Sequence, residues 1–230
     1  MGAPLVRRSV RTGGLLFVLA SVQFIVAMAV VQQRYAGYSL TQNYISDLGA
    51  VNCGPFDGRF VCSPWHPVFN VATVVMGVLF ILGALLLTTA FPNRPTRTIG
   101  LGLILLGGVG AIGVGLFPED FNGMAHVVSA LTAFGLSNLG LIVLGLAMFR
   151  DTRWAGYRAF TVICGLVGLT ALILLAVGAY HWGPVFQAWG AGGIERTIVA
   201  PLLLWVVLAS IHLLRIRAFA PRTVPGGGAV

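Results

Sequence analysis

The chain has 230 residues, 57% of them hydrophobic and only 9% charged, where an average soluble domain carries roughly 25% charged residues. A water-facing surface cannot be assembled from that composition, which excludes an ordinary soluble enzyme or binding domain. The formal net charge of +8 comes from arginine alone and no dense basic run is present, so no nucleic-acid partner is expected.

The apolar runs are about twenty residues long, enough to cross a hydrocarbon core of about 30 Å as helices, whereas strands of a membrane barrel would alternate over about ten residues. Arginines, prolines and polar clusters bound six spans, predicted at Gly13–Val31, Val68–Ala90, Ile99–Phe117, His126–Phe149, Gly156–Ala179 and Thr197–Leu214. The expected architecture is all-α: one polytopic six-helix membrane bundle. Residues 1–12 form a basic N-terminus, 13–217 the membrane domain with a long outer loop at about 32–66, and 218–230 a disordered tail. The arginine-bearing start, with Ala27 and Ala29 spaced like a cleavage site, also resembles a signal peptide, but the apolar stretch is long and five more spans follow.

Charge orients the bundle. Arg7, Arg8, Arg11, Arg94, Arg97, Arg150, Arg153, Arg158, Arg215, Arg217 and Arg222 fall on the side of the termini, and Arg34, Arg59 and Arg196 fall opposite. Positive loops stay inside, so both termini are expected in the cytoplasm and the protein in a bacterial plasma membrane. Asp47, Asp57, Glu119, Asp120 and Glu195 collect on the outer side, and Asp151 on the inner.

Within the outer loop, Cys53 and Cys62 sit where disulfides persist. A pairing over so short a loop is worth about 2–3 kcal/mol; two free thiols are the alternative. Cys164 reads as packing inside span five. Span three carries Gly100, Gly102, Gly107, Gly108, Gly110, Gly113 and Gly115. Span four sets His126, Ser129, Ala133 and Ser137 on one face, so these two spans should pack through small residues. No internal repeat suggests a two-halved transporter, and Asn138 and Pro201 read as an interhelical contact and an early-turn kink.

Four polar elements share the outer level. The first is the run Asn43, Tyr44, Ile45, Ser46, Asp47, Leu48, Gly49. The second is Ser63-Pro64-Trp65-His66-Pro67, a helix start that Ser63 can cap, with His66 and Asn70 one turn apart. The third is Phe117-Pro118-Glu119-Asp120 followed by His126. The fourth is Gly192-Gly193-Ile194-Glu195-Arg196, where Glu195 meets the positive end of span six.

These residues admit several chemistries. Asp47, His66 and His126 are a candidate set for a divalent metal such as zinc, although no His-Glu-x-x-His signature is present. Ser46, His126 and Asp47 would make a hydrolytic set, but Ser46 and Asp47 adjoin in sequence and a relay between them is awkward. The plainest reading is a hydrogen-bonded, ion-paired network in which Arg196 neutralises Asp47 or Asp120.

The Asn43–Gly49 run, with Ile45-Ser46-Asp47-Leu48-Gly49 as its most specific string, is joined in order by His66, Phe117-Pro118, His126 and Glu195-Arg196. In these residues the chain resembles the bacterial and archaeal membrane family called domain of unknown function 998. The resemblance covers nearly the whole membrane portion and implies six helices, without implying an activity. The functional expectation is binding of a lipid headgroup, small polar ligand or partner at the outer cluster. Alternatives are a metal-dependent membrane-embedded lipid hydrolase or transferase, and behind it a facilitator-type transporter.

Overall fold

In lipid every backbone N–H and C=O must find a partner inside its own segment, so the apolar runs become helices. The computed structural model describes residues 3–215, with side chains from residue 5 onward. Its helices are α1 (Ala3–Arg34), α2 (His66–Leu86), α3 (Pro95–Leu116), α4 (Gly123–Leu131), α5 (Ser137–Ala147), α6 (Arg158–Ala176) and α7 (Pro184–Arg215). A π-helical turn, Thr132–Leu136, joins α4 to α5, so these two make one crossing and six helices are long and apolar enough to span a membrane. Each helix packs on its sequence neighbours, and α7 closes the ring against α1.

Several borders differ from the sequence expectation. Residues 3–12 continue α1 as helix, since arginine is a good helix former that can carry its charge past the apolar level on a long stem. The last crossing begins at Ala191, several residues before the expected Thr197, because Gly190 breaks α7 with φ 69° and ψ 171°. The expected disordered tail, 218–230, with Arg217 and Arg222, lies outside the described residues.

Glycines set the helix spacing. On α3, Gly107, Gly110 and Gly113 face Ser137, Ala133 and Ser129, and Gly100 faces Gly140 and Leu144, so spans three and four do meet through small residues. A second glycine face was not anticipated: Gly108 lies against Gly77 and Ile81, and Gly115 against Asn70 and Val74, drawing α2 equally close. Close backbone approach supplies the dispersion contacts that replace a hydrophobic drive in lipid. Asn138, fully buried on α5, donates to Phe134 O inside the π turn at 2.8 Å and to Ile198 O on α7 at 3.4 Å.

The long loop is not irregular throughout. Ser46–Gly49 forms a 3-10 turn, and β1 (Gly54–Phe56) pairs antiparallel with β2 (Arg59–Val61). Asp57 and Gly58 turn the hairpin at φ 46° and 74°, the left-handed values that an Asp-Gly tight turn supplies. Cys53 and Cys62 are bonded to one another at its base. Tyr35, just past α1, ties the hairpin down by donating to Phe60 O and accepting from Cys62 N.

Candidate functional site

Every residue of the Ile45–Gly49 string is held by a different part of the fold. Ile45 N–H donates to the Glu195 carboxylate of α7. Ser46 Oγ donates to Glu119 Oε2 in the α3–α4 turn at 2.7 Å. Asp47, wholly buried, receives Arg59 of β2 on both oxygens and Asn43 Nδ2 on Oδ2. Leu48 is buried without exposure and its carbonyl accepts from Ser63 Oγ. Gly49 carries its carbonyl to Asn70 Nδ2 of α2 and leaves no room for a Cβ beside Asn70 Oδ1. This short polar string ties together α7, the α3–α4 turn, β2 and α2.

Two sequence expectations are corrected here. Ser63 does not cap α2, whose N-cap is Trp65 without a side-chain bond; its hydroxyl is taken by the Leu48 carbonyl, a buried acceptor that outbids a solvated helix end. Arg196 neutralises neither Asp47 nor Asp120. It donates to Asn43 O, Gly192 O and the Tyr38 hydroxyl, while Asp120 accepts from Val51 N and from Asn52. The cation on Asp47 is Arg59, with N–O contacts of 2.6 Å to Asp47 and 3.0 Å to Glu119. Arg59 also lies over the Tyr44 and Phe56 rings, 4.5 and 5.4 Å from their centroids. Arg59 and Tyr38 are not among the predicted site residues; the Asp57-Gly58 pair between two cysteines is the available sign that a hairpin would present Arg59.

One guanidinium faces two buried carboxyls, so only one of them needs to be ionised. Burial works against the charge on Arg59, yet its bonds to Asp47 and the two acids beside it hold it firmly protonated. Burial, followed by hydrogen bonding to Asp47 and the Asp47 charge, pushes Glu119 up to about 9. Burial and the neighbouring acid thus favour the protonated form of Glu119. The folded form holds a proton that the unfolded chain has released above the ordinary value of 4.5. Stability from this group is thus fully present below that value and is lost as pH rises toward about 9. Thermal melts of the solubilised protein should fall in midpoint across this window, and Glu119→Gln should flatten the slope; an unchanged slope in the variant would assign the dependence elsewhere.

Beside the cluster lies a cavity of about 460 Å³. One wall is polar, with Tyr44, Ser46, Arg59, Glu119, His126 and Glu195; the other is apolar and runs between α4 (Val127, Ala130, Leu131) and α6 (Leu172, Leu175, Ala176). The π turn makes this space: its extra residue shifts the helix phase, so α5 fits closely on α6 through Gly145 and Gly165 while α4 does not continue that face. Val127 and Leu131 remain 52% and 49% exposed, leaving the cavity open toward the lipid side. A smaller apolar hollow continues inward past Phe69, Met76 and Ala133, sharing His126 and Glu195.

Of the predicted site residues, Ser46, Glu119, His126 and Glu195 line the cavity, with Asp47 directly behind Arg59. Asn43 and Arg196 brace the loop, Asn70 holds Gly49, and Asp120 holds residues 51–52. His66, half-buried at the start of α2, does not line the cavity. His126 bonds Phe117 O through Nδ1 at 2.8 Å and Ser46 is bonded to Glu119, so the Ser46–His126–Asp47 relay is not assembled. Among the described residues no three His, Cys, Asp or Glu side chains group as a metal ion requires.

No curated protein and no solved structure matches the chain. A family model does, over residues 18–212, and its description is protein of unknown function (DUF998). The match takes in the Ile45–Gly49 hub, the α3–α4 turn and Glu195 together, and the chain, with its six helices long and apolar enough to span a membrane, belongs to this family.

Proposed function

We propose that the protein binds a membrane lipid, with the headgroup at the hairpin end of the bundle and an acyl chain between α4 and α6. The observation that carries this reading is the cavity itself: polar at the Arg59–Glu119–Glu195 wall, apolar along Leu131, Phe134 and Leu172, and open on its lipid side. A soluble polar ligand has no use for the apolar wall, and a partner helix would find a hollow instead of a face. Ala130 contributes to both the cavity and the hollow beneath it. Ala130→Trp should fill the space, and tail-labelled phospholipid should bind at least about tenfold more weakly, a loss of about 1.4 kcal/mol, with the melting midpoint unchanged. Undiminished binding in a folded variant would remove the cavity from consideration.

The hairpin end faces the outside of a bacterial plasma membrane in this reading. Nine of the twelve arginines among the described residues lie on the side of the termini, and the disulfide needs an oxidising compartment. Single cysteines placed at Asn52 and at Asn93, in a chain otherwise freed of thiols, test it: an impermeant maleimide should label only the first in intact cells. The reverse pattern would invert the bundle.

A further inference from the structure

We infer that the cavity selects a primary-ammonium headgroup of the ethanolamine type, a specificity that rests on the lipid-binding reading above. Two buried side chains on its wall each turn an acceptor to the cavity that has no hydrogen bond among the described residues. Glu195 is 4% exposed and one of its oxygens accepts the Ile45 N–H; the other has no hydrogen bond among the described residues. His126 is 9% exposed, and its Nδ1 faces the Phe117 carbonyl, which can only accept. Nδ1 therefore carries the ring proton, leaving Nε2 as a bare lone pair with no partner among the described residues.

Both residues line the same cavity, and both ask for a donor. An ammonium supplies three N–H groups and the charge that a buried carboxylate lacks, whereas a quaternary ammonium offers no N–H and a glycerol head offers no charge. The aromatic rings of Tyr44 and Phe56 line the cavity too and favour a cation. The cation among the lining residues, Arg59, is already shared by Asp47, Asp57 and Glu119. Its place at the polar wall suits the phosphate that follows the ammonium in a zwitterionic lipid.

The test titrates detergent-solubilised protein with three tail-labelled phospholipids of identical acyl chains, carrying ethanolamine, choline or glycerol heads. Ethanolamine lipid should bind at least about tenfold more tightly than either other. Glu195→Gln keeps an oxygen for the Ile45 N–H and should abolish that preference by weakening ethanolamine lipid about tenfold relative to the other two lipids. His126→Gln, which retains an acceptor without the ring, serves as the second variant and should reduce the preference in the same direction. Equal binding of all three lipids, lost in Ala130→Trp, would overturn the headgroup selection and leave lipid binding standing. Absence of binding by any of the three would overturn both.

Discussion

Replacing Arg59 with methionine should lower the melting midpoint of the solubilised protein by on the order of 10 °C, because removing one partner of a buried ion pair costs about 3–5 kcal/mol. Asp47 has no exposure and, among the described residues, no other cation on it, so the variant buries a carboxyl left with Asn43 Nδ2 and the Glu119 carboxyl as partners. Arg59→Lys should be intermediate, since an ammonium cannot make the two-pronged contact with both Asp47 oxygens. Adding Asp47→Asn to Arg59→Met should recover much of the loss by removing the orphaned charge. A midpoint that stays put in Arg59→Met would show that Asp47 takes up a proton at little cost, and that the hairpin is held by its disulfide and by Tyr35 alone.

The second large effect is expected at Gly192, where the outer loop lies directly on α7. A Cβ there would run into the Asn43 carbonyl and, at 3.0 Å, into Arg196 Nη1. The neighbouring contacts are as tight: Gly193 N–H donates to Thr41 O at 3.1 Å, and Gly190 combines a positive φ with the Thr41 carbonyl. Gly192→Ala should therefore cost about 1–3 kcal/mol by overpacking and release the Ile45–Glu195 and Asn43–Arg196 bonds. The comparison variant is Gly102→Ala, in α3 with open space at its Cβ position; it should be neutral or stabilising by about 0.4–1 kcal/mol through the unfolded chain. Melts of the two variants side by side, with proteolysis of the loop as a second readout, decide it. Equal behaviour of both would mean that the loop is free to lift away from the helix.

These two sites differ in how readable they are. Gly192 and Gly193 stand out in the sequence as a glycine pair before an acid and an arginine, and that element does sit at the cluster. The glycines nevertheless serve the loop backbone, which no local pattern announces. Arg59 was readable only as one charge in the count that orients the bundle. Its role depends on a two-residue turn, on a disulfide nine positions apart and on an aspartate on a separate 3-10 turn.

The number of crossings, their approximate borders and the common level of the polar elements were legible because the bilayer makes each span a local decision: about twenty apolar residues in a solvent with no hydrogen bonds to offer must become helix. The sequence by itself also determined that Asp47, Glu119, His126 and Glu195 would gather at one end. Which acid meets which cation was decided by tertiary structure. Buried ion pairing depends on angstrom-scale distance and on the loss of water; the hairpin and its disulfide bring Arg59 to Asp47, and the packing of the helices brings Glu119 to both. The cavity has the same origin, since its space arises from a single extra residue in the π turn and from the glycine contacts that hold α5, but not α4, against α6.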